Sequence, residues 1–448
     1  MVKAMTQDWQ RLLDSAAVRF VRIVWCDNAN VIRAKAFHTA FLEEHQDWGI
    51  GISIAQQAVP VMADAPAPES GLGPVGEAWL VPDWSTLALL PYAPGHARVM
   101  GKMMREGQPW ALCPRSFLQR MIAQAQAIGL EVKAAFENEF YLLSRSSEGI
   151  VPVDRTLFAA SLSMDQNRAV IDDIATALIA QEIAVERYYP ESGHGQHEIS
   201  IRYTGALTAA DQQIAFRETV HGVALQHGQI ASFLPKIFAN QAGSGCHLHL
   251  SLWRQGANLM PDPQQPGELS PIALAFVAGI LDHLPALMAI TTPSVNSYRR
   301  LQPHFWSGAF CCWGKDNREA AVRIPSSPVP PSPTHLELKT VDASANPYLA
   351  LGATIAAGLD GIRRALTPGE EVTIDPGNFS KAERQQRKID RLPSTLGEAI
   401  EHLKQDEHLL NALGTSLAQA FLAVRQAEWA AMQEMTLEEE VGMLLERY

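Results

Sequence analysis

Acidic and histidine side chains alternate with apolar ones in several short segments of the chain. Residues i and i+2 of a β-strand point to the same side of a sheet, so each segment predicts a strand with one apolar face and one face of ionisable groups. The segments are residues 136–141, 197–203, 246–252, 321–324 and 335–339. Their ionisable faces would carry Glu137, Glu139, Glu198, His247, His249, Arg323 and Glu337.

Two explanations of this pattern stay open at the level of one strand. An antiparallel sheet with a solvated face shows the same alternation. Solvated faces, however, usually mix Lys, Thr, Ser and Glu, whereas Glu, His and Arg dominate here. Glu137 and Glu139 would repel each other by roughly 2–3 kcal/mol at an effective dielectric constant of about 20. A cation would compensate such carboxylates, and oxygen ligands with one imidazole favour Mg²⁺ or Mn²⁺.

Two further segments could bind anions. Residues 242–245 (AGSG) precede the histidine strand, and their backbone amides could approach a ligand closely. Four arginines lie in residues 296–325, and forked guanidinium groups recognise phosphate and carboxylate, although surface charge would explain them equally well. They are Arg299, Arg300, Arg318 and Arg323. With the carboxylates they fit phosphoryl transfer from a nucleotide without a GxxxxGK[ST] loop.

Composition excludes several classes of protein. The chain has 448 residues, 47% of them hydrophobic, which argues against a disordered chain. A net charge of −12 disfavours nucleic acid or an anionic membrane as the partner. Five cysteines without a CxxC pair argue against a disulfide framework. The first residues lack an apolar signal segment, and polar residues interrupt the apolar stretch 272–290, so we predict a cytoplasmic protein with no membrane span.

The order of predicted elements suggests two domains, 1–110 and 111–448. The first hundred residues are expected to form short strands. Residues 116–129 predict a helix with Ser116 as N-cap and Gly129 at its end. Further helices are expected at 167–181, 209–228, 272–290 and 347–364, and through most of 395–448. Residues 326–333 (SSPVPPSP) predict a stiff extended connection.

In combination, these segments resemble the type I glutamine synthetase superfamily over nearly the whole chain. The motifs are GEAWLVPDWST at 76–86, FENEF at 136–140, PESGHGQHE at 190–198, GSGCHLHLS at 243–251, NSYRRLQP at 296–303, NR with RIP at 317–325, and SANPYLAL at 344–351. The resemblance implies an α+β fold, with an N-terminal β-grasp domain and a catalytic domain built on a curved antiparallel sheet flanked by helices. It also implies a homo-oligomer of stacked hexameric rings.

The resemblance further implies ATP as a substrate and two Mg²⁺ or Mn²⁺ ions in each site. One ion would be held by Glu139, Glu191 and Glu198, the other by Glu137, His247 and Glu337. His249 and Ser251 would contact the nucleotide, with Arg318 and Arg323 as catalytic groups on its phosphates. Gly243, Gly245, Arg300 and Lys339 would lie around the acid substrate, and Trp306 at the amine. The implied reaction phosphorylates a carboxylate and then forms an amide.

Several positions depart from the family pattern around the ammonium and glutamate pockets. The flap glutamate that takes a proton from ammonium is matched by Trp306, and residues 49–57 lack the acid of the small domain. A tyrosine of that pocket is loosely matched by Phe158. Ala242 and Lys339 replace an Asn and an Arg near the acid. These changes favour glutamate and an organic amine as substrates, as in γ-glutamylpolyamine and related γ-glutamylamide synthetases. An authentic glutamine synthetase and an inactive relative remain alternatives.

Overall fold

The computed structural model describes residues 2–147, 149–326 and 334–448. The expected stiff connection at 326–333 lies outside the described residues except for Ser326. The α-helices are α1 (Val2–Ser15), α2 (Leu42–His45), α3 (Pro114–Ala127), α4 (Ser161–Ile179), α5 (Ala206–Gln226), α6 (Pro271–Thr291), α7 (Ser297–Arg300), α8 (Pro347–Arg363), α9 (Lys381–Arg387), α10 (Leu396–Gln405), α11 (Glu407–Leu413), α12 (Thr415–Met432) and α13 (Leu437–Leu444).

The strands of the described residues form two sheets, which confirms the α+β expectation. They are β1 (Phe20–Cys26), β2 (Ile32–His38), β3 (Ile50–Ser53), β4 (Glu77–Leu89), β5 (His96–Arg105), β6 (Gln108–Pro109), β7 (Glu131–Ser146), β8 (Gly149–Pro152), β9 (Val185–Pro190), β10 (Gln196–Ile201), β11 (Thr204–Gly205), β12 (Ile230–Ser232), β13 (Cys246–Arg254), β14 (Ala257–Asn258), β15 (Phe310–Lys315), β16 (Ala320–Ile324) and β17 (Leu336–Leu338).

The N-terminal sheet has the order β2-β1-β5-β4-β3, with β6 paired to β5. Strands β1 and β5 run parallel and their other neighbours antiparallel, as in a β-grasp domain. The prediction of strands alone was wrong at the start of the chain, because α1 forms there. Trp9 of α1 stacks on Trp84 at 4.0 Å, and Leu13 is buried in the same apolar cluster as Val21 and Ile23. Burial of these side chains four residues apart therefore stabilises α1 on the sheet.

The larger sheet has the order β15-β16-β17-β13-β7-β10-β9 and is antiparallel except between β15 and β16. Its central strand β7 pairs with β13 on one side and β10 on the other. The ladder sets His247 opposite Glu137, Glu198 opposite Glu139, and Arg323 opposite Glu337. The predicted alternation is confirmed in these strands. The alternative explanation, a second face exposed to solvent, does not fit Glu198 and Glu337, because both are buried.

Helices cover the apolar face of this sheet. Phe136, Phe140 and Leu248 of the sheet belong to one core with apolar residues of α3, α5, α6 and α8. By length and composition α6 could cross a membrane, but 72% of its apolar window is buried within the described protein. It therefore packs as a core helix, as its interruption by polar residues predicted.

Helices α3, α4 and α5 begin earlier in the chain than the sequence predicted. The N-cap of α3 is Cys113, whose Sγ accepts from the Ser116 N–H at 3.4 Å, so the assignment of Ser116 as N-cap was wrong. Pro114 explains the shift, because proline suits the first turn of a helix. Gly129 follows α3 at φ 75°, as expected for a helix end. Helices α4 and α5 begin at Ser161 and Ala206, before the expected 167 and 209.

The crossing of α6 and α8 generates a stability prediction. A Cβ at Gly279 would lie 2.2 Å from the Ala357 carbonyl oxygen and 2.6 Å from the Gly361 nitrogen, which are backbone atoms that cannot turn aside. We expect Gly279→Ala to lower the free energy of unfolding by about 1–3 kcal/mol through overpacking. Thermal unfolding should show a fall in Tm. Gly442→Ala in α13 is the control, because its Cβ would meet nothing within 4 Å; equal Tm values for both variants would contradict this account.

Candidate active site

Strand register brings ionisable side chains from β7, β13 and β17 into contact. The His247 Nδ1 atom lies 3.0 Å from Glu137 Oε1 and 3.2 Å from Glu337 Oε1. His249 Nε2 lies 3.3 Å from the other oxygen of Glu137. Arg323 donates to Glu337 Oε2 at 2.7 Å, and Lys339 Nζ lies 3.2 Å from Oε1. Glu137 and Glu337 are thus held by neighbouring cationic side chains.

Three further carboxylates next to this group have no cationic side chain as an ion-pair partner within the described residues. Glu139 Oε2 accepts from the Gly245 N–H at 2.8 Å, and Glu191 Oε2 accepts from the Ser192 N–H at 3.0 Å. Glu198 accepts from the Ser200 hydroxyl at 2.9 Å and the Tyr189 hydroxyl at 2.6 Å. These contacts orient the oxygens without neutralising their charge.

Tyr189 and Ser200 were not among the predicted site residues. Ser200 lies two residues from Glu198 on the same strand face, so alternation could have identified it. Tyr189 is the ladder partner of Glu198 across β9 and β10, a relation that only the strand register supplies.

Burial and like charge change the proton affinity of this cluster. Burial, reinforced by Glu139, raises the pKa of Glu191 to about 7. Burial, reinforced by Glu137 and Glu139, raises the pKa of Glu198 to about 8. Burial opposes the charged form of His247, yet hydrogen bonds to Glu137 and Glu337 prevail and raise its pKa to about 9. Each shift keeps a proton in the cluster that a metal cation could replace.

The donor atoms fit divalent cations that prefer oxygen. Ligand atoms of Glu137, Glu139 and His247 lie within 4.8 Å of one another, as do those of Glu137, His249 and Glu337. Carboxylate oxygens with one or two imidazoles suit Mg²⁺ or Mn²⁺. The grouping differs from the predicted one, because Glu137 belongs to both groups and His249, expected at the nucleotide, also lies within ligand distance.

A cavity of about 400 Å³ adjoins Glu137 on the same sheet face. Ser251 is buried beside it and its hydroxyl accepts from Trp253 Nε1 at 2.8 Å. The residues that line the cavity carry both charge and hydrogen-bonding groups, and include Lys133, Arg187, Ser200, Tyr203, His249, Ser251 and His335. The predicted nucleotide contacts His249 and Ser251 therefore face one space beside the carboxylate cluster.

Close packing explains the glycines before β13. A Cβ at Gly243 would lie 2.6 Å from Arg300 Cγ and 2.7 Å from the Pro235 carbonyl oxygen. A Cβ at Gly245 would lie 2.5 Å from His247 Nε2. Both positions therefore require glycine for Arg300 and His247 to occupy their places.

The predicted arginines divide between the site and the surface. Arg300 is buried, donates to the carbonyls of Lys339 (3.3 Å) and Val341 (3.1 Å), and keeps Nε without a partner in the described structure. Arg318 is exposed. Arg299 donates to Glu440 of α13 at 2.8 Å, so for this arginine the alternative of surface charge is the one that fits.

Residues 302–308, the flap segment, pack beside β16, where a Cβ at Gly308 would lie 3.0 Å from Ala321 Cα and 3.2 Å from Lys339 Cβ. Trp306 is 61% exposed at φ 54°, with the Arg318 guanidinium carbon 6.0 Å from its ring centroid. Its backbone N–H donates at 2.8 Å to Oε1 of Glu319, a buried residue that the sequence reasoning missed. The one sequence feature that could have identified Glu319 as a site residue is its position directly after Arg318.

Phe158 stands at another edge of the carboxylate cluster. Its ring lies 5.9 Å from that of Tyr189, which bonds Glu198. The Ala159 N–H donates to the Pro190 carbonyl at 3.0 Å, so this segment runs beside Glu191. A half-exposed phenyl ring adds apolar surface there and offers no hydrogen bond.

The raised pKa values predict pH-dependent metal binding. Mn²⁺ bound by Glu191, Glu198 and His247 would displace protons from them, so its affinity should fall as pH falls through the range from about 9 to about 7. Each displaced proton weakens binding by up to about tenfold per pH unit below its pKa. Isothermal titration with Mn²⁺ between pH 6 and pH 9 checks this, and Glu198→Gln should reduce the slope. A dissociation constant independent of pH would contradict the electrostatic account.

Comparison with known proteins agrees with this arrangement. The family model described as glutamine synthetase, catalytic domain, matches residues 111–444, and that of the glutamine synthetase N-terminal domain matches residues 10–110. Type-1 glutamine synthetase 1 of Dictyostelium discoideum is 34% identical, with 96% of this chain and 90% of that protein covered. Gamma-glutamylpolyamine synthetase GlnA3 of Streptomyces coelicolor is 37% identical, with 94% and 92% covered.

Solved structures extend the likeness to three dimensions. A complex of GmaS with ADP superposes with a TM-score of 0.84 at 31% identity and covers 96% of this chain and 98% of that one. Glutamine synthetase of Thermus thermophilus is 37% identical in sequence over 78% of this chain and 80% of that protein. Since the family models and the relatives span nearly the whole chain, it belongs to the glutamine synthetase family and is a ligase of that family.

Proposed function

We propose that the enzyme uses ATP to join the γ-carboxylate of glutamate to an organic amine through an acyl phosphate. The observation that carries this proposal is the exposed indole of Trp306 at the flap position, in a chain whose catalytic sheet brings Glu137, Glu139 and His247 within ligand distance of one another. Similarity to GlnA3, named a gamma-glutamylpolyamine synthetase, supports it. An indole cannot accept a proton, but it can pack against carbon and stack on a cation.

In this proposal two divalent cations occupy the carboxylate cluster. Glu139, Glu191 and Glu198 would hold one, and Glu137, His247 and Glu337 would hold the other. When bound, the cations would neutralise charge on the γ-phosphoryl group of ATP. Lys339 and Arg323 restrain Glu337, and Tyr189 and Ser200 restrain Glu198, so the chain presents its oxygens in fixed directions.

The nucleotide would bind in the cavity beside Glu137, where His249 and Ser251 contact it. Arg323, held in place by Glu337, and Arg318, exposed beside the Trp306 ring, would bind the phosphates and the phosphoryl group in transfer. A guanidinium group directed at the γ-phosphoryl group stabilises the charge that builds there.

The acid substrate would lie between Gly243, Gly245, Arg300 and Lys339. The Nε–H group of Arg300 is buried and has no acceptor in the described structure, which is costly. This favours a carboxylate of the substrate as its acceptor. A substrate carboxylate oxygen attacks the γ-phosphorus and ADP leaves. The amine nitrogen then attacks the acyl carbon, and the carbon–oxygen bond to phosphate breaks.

One alternative is synthesis of glutamine from ammonium. The names of relatives from Dictyostelium discoideum and Thermus thermophilus favour it. Ammonium is a small cation that needs anionic or hydroxyl partners, and Trp306 and Phe158 supply neither group. The third alternative, an inactive relative, gains no support from the site, where ligand atoms of Glu137, Glu139 and His247 lie within 4.8 Å of one another, as do those of Glu137, His249 and Glu337.

The remaining expectations are part of the same proposal. We place the division between the two domains after residue 110. We expect a cytoplasmic homo-oligomer of stacked hexameric rings, with small molecules as the other partners and neither nucleic acid nor a membrane among them. The net charge of −12 is in keeping with the last point.

A panel of amines tests the choice of substrate. Phosphate release should be measured with glutamate, ATP and Mg²⁺ or Mn²⁺, and with ammonium, ethylamine, butylamine or 1,4-diaminobutane. We expect kcat/KM for at least one organic amine to exceed that for ammonium by tenfold or more, on the order of 1.4 kcal/mol of discrimination. Preferred turnover of ammonium would establish the alternative instead.

The role given to the indole can be tested separately. Trp306→Ala should raise KM for the preferred organic amine several-fold, because contact with its carbon atoms is lost, and leave KM for ATP within about twofold. Phe305→Ala is the matched control, since its phenyl ring is a similarly exposed neighbour. Equal effects of Trp306→Ala on amine and ATP would remove the indole from the amine pocket.

A further inference from the structure

An amide-forming ligase needs a proton acceptor for its amine. At neutral pH an alkylamine or ammonia is mostly protonated, and a protonated nitrogen has no lone pair to attack a carbonyl carbon. The glutamate that would remove this proton is replaced in the flap by Trp306. The indole N–H of Trp306 can only donate a hydrogen bond. If the proposed function holds, another group near the flap segment has to accept the proton.

Glu319 is the carboxylate that contacts the flap segment at this position. Its Oε1 accepts from the Trp306 backbone N–H at 2.8 Å. Its second oxygen, Oε2, is buried and has no hydrogen-bond partner in the described structure. The residue as a whole is only 6% exposed. An unpaired buried carboxylate oxygen costs free energy, and a cationic ligand would recover it.

Glu319 directly precedes β16, the strand that carries Arg323. Alternation extended back from that strand assigns residues 319, 321 and 323 to one face. Arg323 on this face bonds Glu337 of the proposed metal site. Between them, the Ala321 carbonyl accepts from the Lys339 N–H at 2.9 Å, and Gly308 of the flap segment packs over Ala321.

The surroundings of Glu319 favour a base of moderate strength. Burial raises the pKa of Glu319, and the nearby charge of Asp375 raises it further. The hydrogen bond from the Trp306 N–H and the proximity of His304 lower it in part. Cys312 and the exposed Arg318 are the other ionisable groups close to it. A carboxylate with a raised pKa holds a transferred proton better than an ordinary surface glutamate.

From this geometry we infer that Glu319 binds the incoming amine as a cation and removes its proton, in the place of the glutamate that the flap lacks. Because Oε2 is buried and the Trp306 N–H of the flap segment bonds Oε1, the inference requires a movement that opens Oε2 to the amine. This inference deepens the proposed function and rests on it.

The proton balance is as follows. The ammonium form R–NH₃⁺ transfers one proton to Glu319 Oε2 and becomes R–NH₂. Its lone pair forms the bond to the acyl carbon, and the carbon–oxygen bond breaks with its electrons on the phosphate oxygen. The second proton lost by nitrogen goes to phosphate, and Glu319 returns its proton to solvent.

Glu319→Gln separates this chemistry from a purely structural role. The glutamine carbonyl can still accept from the Trp306 N–H, but the side chain has neither charge nor basicity. With butylamine or ammonium at pH 7.5, kcat/KM should fall about 100-fold or more, the usual contribution of a general base. With hydroxylamine, a weak base that is largely unprotonated at this pH, the rate should stay within about threefold of the parent enzyme.

Two controls complete the experiment. Glu319→Asp should recover part of the butylamine rate, and Asp375→Asn, which removes a neighbouring carboxylate, should retain most of it. The Glu319→Gln rate with butylamine should rise more steeply with pH than that of the parent, as free amine accumulates. Equal losses with butylamine and hydroxylamine would make Glu319 a structural tie of the flap segment, and unchanged rates would exclude any role in proton transfer.

Failure of this inference can be distinguished from failure of the proposed function. A parent enzyme that prefers ammonium would refute the organic amine but leave the Glu319 test valid with ammonium. A parent enzyme that uses butylamine well, together with a Glu319→Gln variant of unchanged rate, would refute only the role of Glu319.

Discussion

An excess of negative over positive charge in a partly buried cluster is the constraint on which the catalytic face of this protein depends. Side-chain cations pair with Glu137 and Glu337, whereas Glu139, Glu191 and Glu198 are held within the described structure by backbone N–H groups and hydroxyls. Such a cluster is unfavourable unless protons or metal cations neutralise it. The raised pKa values of Glu191 and Glu198 are a consequence of this shortage of positive charge, and divalent cations would supply the missing charge.

The rest of the site is arranged around this charge. Central strand β7 supplies two carboxylates and aligns β10 and β13 so that a third carboxylate and the histidines meet them. Glycines before β13 let Arg300 and His247 approach closely. In the proposed function the amine side has a different character, because the aromatic rings of Trp306 and Phe158 take the place of charged and hydroxyl groups. Metal-dependent activation of a carboxylate would then be combined with a less polar pocket for the nucleophile, which is the basis for proposing an organic amine rather than ammonium.

How much the sequence could predict depended on whether a signal was local. Period-two alternation identified β7, β10 and β13 and the faces that carry Glu137 and His247, because side-chain direction in a strand follows from position alone. Helix α1 was missed because its burial depends on Trp84, far along the chain. The sequence left two environments open for Arg299 for the same reason, since its partner Glu440 lies in the last helix. The tie between Glu319 and Trp306 spans two loops and required coordinates.

A crystal structure of the enzyme with Mn²⁺ and a non-hydrolysable ATP analogue, with anomalous scattering measured at the manganese edge, tests the central claim most directly. The account predicts two anomalous peaks on the catalytic sheet, one among Glu139, Glu191 and Glu198 and the other among Glu137, His247 and Glu337. Carboxylates that remain in place with no manganese between them, or manganese bound only elsewhere, would contradict it.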